Sequence, residues 1–83
     1  MIYHSEIKDN ELRLLLKQGN IRFGGNSKLK IYGTLYCSSG KRMKRENRVF
    51  FTSEEEALQQ QFRPCGHCMK KEYQLWKNGN AHN

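Results

Sequence analysis

Long apolar runs are missing from this 83-residue chain. Nothing in it approaches the roughly 18–20 consecutive apolar residues that cross a bilayer, so no helical membrane span and no membrane partner are expected. The opening stretch "MIYHSEIKDN" has neither a basic leader nor an apolar segment behind it, and it does not read as a signal peptide. Cysteine is scarce: there are three, and the odd count argues against a disulfide-stapled scaffold. With no export signal, reduced thiols in the cytoplasm are the expectation. Acids are short as well, with eight Asp and Glu against fifteen Lys and Arg, a net charge of +7. That imbalance points to an anionic partner, most simply nucleic acid; a basic surface kept for solubility is the alternative.

What is present is enough for one small core. The chain is 36% hydrophobic, with four Tyr, four Phe and one Trp spread along it, which favours a folded domain over disorder. A domain this short buries only about 60% of its unfolded surface, and such domains often add a metal or a disulfide as a staple. We read one domain over residues 1–77 and a disordered tail, "NGNAHN", over 78–83. There is no internal repeat and no linker.

Along the chain, "SEIKDNELRLLLKQGN" reads as an amphipathic helix, with Leu12, Leu15 and Leu16 on one face, Asp9 as N-cap and Gly19 as its stop. In "IRFGGNSKLKIYGTLYC" the alternation of Ile21 and Phe23 with Arg22 predicts a strand. "GGNS" then reads as a turn, and Leu29 and Ile31 alternating with lysines predict a second, antiparallel strand broken at Gly33. "RVFF" is a third strand. "TSEEEALQQQ" opens a helix capped by Thr52 or Ser53, with Glu55 or Glu56 in the capping-box position. "RPCGHC" is a turn, since Pro64 discourages helix at Arg63. "MKKEYQLWK" is helical, with Met69, Tyr73 and Trp76 on one face. The fold class is therefore α+β: a small three-stranded antiparallel sheet flanked by two or three short helices.

The chemistry centres on "CGHC", Cys65 to Cys68. The same four letters occur in disulfide isomerases, where the first thiol caps a long helix of a thioredoxin fold. That fold needs two more strands and a helix after the motif, and only fifteen residues follow Cys68. The metal reading is better: a C-x2-C pair on a tight turn aims two sulfurs at one point, and Cys37 at a strand end supplies a third. Structural zinc wants four ligands, so one position stays open; His67 points away from a metal shared by its flanking cysteines, and His4 and His82 are near the termini. Three packed, metal-free cysteines are the alternative.

The order of motifs resembles the N-terminal metal-binding domain of the Ada family of DNA alkylation-repair proteins. Tyr36-Cys37, Glu46-Asn47, Phe50-Phe51, Glu56-Ala57 and Phe62-Arg63-Pro64-Cys65 with Cys68 match in sequence, over roughly Ile31 to Tyr73. The resemblance implies Zn2+ held by Cys37, Cys65 and Cys68, and DNA bound through a basic surface. It also implies Cys37 as the acceptor of a methyl group from a DNA methylphosphotriester, once per molecule. The chain departs from the family where a second cysteine should follow: "CSSGK" places Lys41 there. Three thiolates and a neutral ligand make zinc a monoanionic centre whose sulfurs are less nucleophilic than those of the four-thiolate dianion. The open position could hold water instead, as catalytic zinc does. Alternatively Lys41 crowds the site, no metal binds, and its ammonium stabilises a Cys37 thiolate. A metal-free interaction domain that keeps the fold is the reading of a third class.

Beside Cys37, "GKRMKRENR" gathers Lys41, Arg42, Lys44, Arg45 and Arg48 against one acid, and these are the expected contacts to a phosphate backbone. A loop neutralised by Glu46 or by the acids of "SEEE" is the alternative. The aromatics read as core rather than base-stacking surface. Gly24, Gly25 and Asn26 form no phosphate-binding fingerprint, because no strand–loop–helix order surrounds them.

Overall fold

A computed structural model describes residues 1–37 and 43–80. Its sheet has five strands in the order β1-β4-β2-β3-β5: β1 (Ile2–Tyr3), β2 (Phe23–Asn26), β3 (Ile31–Thr34), β4 (Arg48–Phe51) and β5 (Arg63–Pro64). Three helices, α1 (Asp9–Lys17), α2 (Glu54–Gln59) and α3 (Lys70–Asn80), complete the α+β class. The three expected strands are the centre of this sheet, but the sheet is neither three-stranded nor wholly antiparallel. A two-residue strand is added at each edge, and β5 runs parallel to β3, pairing Ile31 with Arg63 and Tyr32 with Pro64. Pro64 has no N–H to give, so its place on an edge costs no ladder bond.

The hairpin turn lies later than its glycines suggest. Gly24 and Gly25 are strand residues, paired with Gly33 and Tyr32 on one side and with Phe50 and Val49 on the other. The turn is Ser27–Lys30: the Asn26 Oδ1 accepts from the amides of Lys28 (2.9 Å) and Leu29 (3.1 Å), and Lys30 adopts φ 59°. Leu29 is accordingly exposed rather than in a strand. This Asx turn competes successfully with extension of the strand.

Local capping chemistry fixes the helices. In α1, Asp9 is the first helical residue, not the cap; Lys8 holds the cap position without a side-chain bond. Its end is a Schellman motif: Gly19 at φ 73° donates to Leu16 and Asn20 donates to Leu15. Ser53 caps α2, accepting from the Glu56 amide at 3.2 Å, while Glu56 accepts from the Thr52 amide at 2.8 Å and the Met1 ammonium at 2.7 Å. A second Schellman motif closes α2 with Gln61 in the left-handed region at φ 66°. Helix α3 continues to Asn80, so residues 78–80 of the expected tail are its last turn; 81–83 lie outside the described residues.

The two faces of the sheet differ, and that difference positions the site. On one face Tyr32, Val49 and Phe51 pack with Ala57, Phe62 and Met69 as the core, and the Phe51 and Phe62 rings meet edge-on at 4.9 Å. Alternation puts Gly24, Gly33, Arg48 and Phe50 on the other face. Phe50 is buried there beneath His4 and the Arg48 guanidinium. No helix among the described residues is long and apolar enough to cross a membrane.

Candidate metal centre

Two separate pieces of backbone, the end of β3 and the CGHC turn, bring the three cysteines together. Cys37 follows the end of β3 in a turn closed by its own N–H on the Thr34 carbonyl at 3.3 Å. Cys65 is fixed where β5 ends, its N–H on the Tyr32 carbonyl at 2.7 Å, so the parallel edge strand is what registers the CGHC turn against β3. Cys68 closes that turn, and the Cys65 carbonyl accepts from Met69 at 3.0 Å as the chain enters α3.

All three Sγ atoms lie within 4.8 Å of one another. Tetrahedral zinc with sulfurs at roughly 2.3 Å wants them about 3.8 Å apart, so small side-chain rotations close the triad around an ion. None of the three is in a disulfide. Backbone amides already face two of the sulfurs: Thr34 N–H donates to Cys68 Sγ and His67 N–H to Cys65 Sγ, each at 3.4 Å. Such N–H···S contacts orient ligating thiolates. Burial pushes the Cys68 thiol above its ordinary range, and the neighbouring Cys37 and Cys65 thiols add to this, while the Thr34 amide opposes it. Binding an ion must displace those protons.

Among the described residues no histidine or carboxylate completes the group. His67 is exposed and outside it, in keeping with its place between two ligands. Lys41 and Arg42, along with the rest of 38–42, lie outside the described residues.

The remaining basic residues separate. Lys44 is exposed. Arg45 is spent on its own chain, donating from Nη2 to the Ile7 carbonyl (2.9 Å) and from Nε to the His4 carbonyl (3.3 Å), with Nη1 3.2 Å from Asp9. It clasps the N-terminal segment to the turn before β4. Arg48 instead stacks on Phe50, 5.2 Å from the ring centroid, and lines a groove of about 340 Å³. Cys37, Cys65, Leu35 and Met43 line the same groove, and so does Arg63, whose guanidinium stacks on Tyr73 at 5.2 Å.

Sequence reasoning missed two participants. Arg63 enters the sequence reading as the residue before proline and as part of the Phe62–Cys65 motif, without a role at the site; its position two residues before Cys65 is the available signal. Gly33 was read as a break in a strand, although a glycine inside a strand marks close backbone approach. A methyl group at Gly33 would lie 2.7 Å from Cys68 Sγ.

Fold and site together define a small zinc-binding domain, with three thiolates gathered by a sheet edge and a C-x2-C turn. The family model for the metal binding domain of Ada matches residues 18–71, about two thirds of the chain, and the protein belongs to that family. The match begins after α1, so β1 and the whole of α1 are additions to the matched region, stitched on by the β1–β4 pairing and Arg45. No curated protein and no solved structure matches the chain.

Proposed function

We propose that this domain binds DNA through its backbone phosphates, in alkylation repair or its regulation, with zinc at Cys37, Cys65 and Cys68 as the staple of the binding surface. One observation carries the reading. Arg48 and Arg63 both line the groove that two of the metal cysteines line, each is backed by an aromatic ring, and neither is in an ion pair among the described residues. Arg63 Nη1 donates to the Pro64 carbonyl at 3.1 Å, which leaves its other N–H groups, and those of Arg48 over Phe50, for an acceptor, and phosphate fits a guanidinium fork. The net charge of +7 supplies long-range attraction. Lys44 joins as an exposed cation. Lys41 and Arg42, outside the described residues, are the further cations that the sequence offers. Arg45 contributes by holding the turn that leads into Arg48.

Titrating duplex DNA at several salt concentrations tests this. Affinity should fall steeply with salt, and Arg48→Ala and Arg63→Ala should each lower the slope of log K against log salt by about 1. Binding that ignores salt, or that neither variant alters, overturns the reading and leaves a protein-interaction domain.

A second reading, methyl transfer to Cys37, is favoured by that residue's place in the same groove. The Cys37 thiolate would attack the methyl carbon of a methylphosphotriester, forming S–CH3 as the C–O bond breaks and the phosphodiester anion leaves. Zinc, when bound, keeps the sulfur as thiolate at neutral pH. Intact mass after incubation with methylphosphotriester DNA should show one added methyl that Cys37→Ser lacks. An unchanged mass confines the domain to binding.

A further inference from the structure

Gly24 and Gly33 are cross-strand partners on the same face of the sheet, yet their surroundings differ. A methyl at Gly24 would meet the Val49 carbonyl at 3.7 Å, Leu35 Cδ2 at 3.8 Å and Phe50 Cδ1 at 4.0 Å, all ordinary contacts. A methyl at Gly33 would lie 2.7 Å from Cys68 Sγ and 3.2 Å from Cys65 Cβ. Neither glycine has a positive φ, so backbone conformation does not require glycine at 33. Glycine weakens a strand interior, which makes its presence there a matter of space.

We propose that Gly33 is a positioning residue of the metal centre. Its lack of a side chain lets the Cys68 sulfur lie against β3, where the Thr34 amide reaches it at 3.4 Å and where it meets Cys37 and Cys65. A side chain at 33 turns Cys68 away, removes that hydrogen bond and opens the triad. Cys65 is less able to retreat, because its N–H is tied to the Tyr32 carbonyl at 2.7 Å. The strand therefore sets how closely the thiolates gather, and position 33 is the control point. This holds whether or not the domain binds DNA.

The test compares Gly33→Ala with Gly24→Ala in the full chain, using zinc competition against a chromogenic chelator and the thiolate-to-metal absorption of the cobalt form. Gly33→Ala should weaken zinc about tenfold or more, the scale of lost outer-shell support, and diminish the cobalt–thiolate band. Gly24→Ala should stay within about twofold of the parent, well inside that scale. Melting in chelator adds a readout that a general packing defect would move differently. The cost of Gly33→Ala should shrink in a Cys68→Ala background, where the new methyl takes the volume the sulfur left. If Gly33→Ala alone does not fold, recovery of folding in the double variant supports the proposal, and continued unfolding overturns it. Parental zinc affinity with an unchanged cobalt spectrum also overturns it, as does an equal melting loss with and without the Cys68 sulfur.

Discussion

Alanine at Gly24 and alanine at Gly25 are adjacent changes for which the sheet predicts opposite outcomes. A methyl at Gly25 points into the core, 3.0 Å from the Ile31 carbonyl oxygen, 3.1 Å from Phe51 Cε2 and 3.3 Å from Phe62 Cε2. Those rings are buried and already in edge-on contact, so neither can retreat without disturbing the other. Overpacking of this kind costs about 1–3 kcal/mol. Removing a glycine from the unfolded ensemble returns about 0.4–1 kcal/mol, so the net loss is about 1–2 kcal/mol. In a domain of this size each kcal/mol moves Tm by about 4–8 °C, and Gly25→Ala should melt about 5–15 °C lower. At Gly24 the methyl meets only ordinary contacts, the entropic gain is not offset, and Tm should hold or rise by a few degrees. Thermal melts by circular dichroism, checked by urea titration, measure both. Equal shifts, or a larger loss at Gly24, would refute the assignment of faces on which the groove and metal centre depend.

Two further substitutions and one titration probe the caps and the charges. Gln61→Gly should stabilise by about 1 kcal/mol, because it removes a side chain from a left-handed position, and chemical denaturation reads this directly. The Met1 ammonium, and then the Thr52 amide, hold the Glu56 carboxyl below its ordinary 4.5 against the opposing effect of burial. Its stabilising contribution is present above that value and lost as pH falls through the lower folded pKa. Glu56→Gln should therefore cost about 1 kcal/mol near pH 7, allowing for its partial exposure, and progressively less in acid. Burial, then the Arg45 and Arg48 cations, lower the His4 pKa below 6.5, so its contribution is present above 6.5 and lost as pH falls through the folded value. An NMR titration should find that depressed midpoint, and phosphate engagement of Arg48 should raise it. No movement in saturating DNA would place the phosphates elsewhere.

How much was legible in the sequence depended on whether a residue's role was local. The Ser53 and Gly19 signals act within one turn of helix and could be read directly. "RVFF" and the C-x2-C pair carry their identity in their own residue types. The edge strands did not, because Ile2–Tyr3 and Arg63–Pro64 are too short to show a period and become strands only through β4 and β3. Gly24-Gly25 looked like a turn because glycine has no side chain to reveal a face; the real turn was decided by one Asn26 oxygen taking two amides. The triad was readable from spacing and resemblance. Gly33 was not, since its role is space left for a cysteine 35 residues later in the chain. Arg45 stood out as one cation among several, and only the folded N-terminal segment shows where it is engaged.

The central claim, a zinc ion held by Cys37, Cys65 and Cys68, is tested most directly by native mass spectrometry with metal analysis of protein purified without added zinc. Cys37→Ser and Cys65→Ser are measured alongside. The account predicts one zinc per chain in the parent and its loss in both variants. A parent that is folded and carries no metal would contradict it.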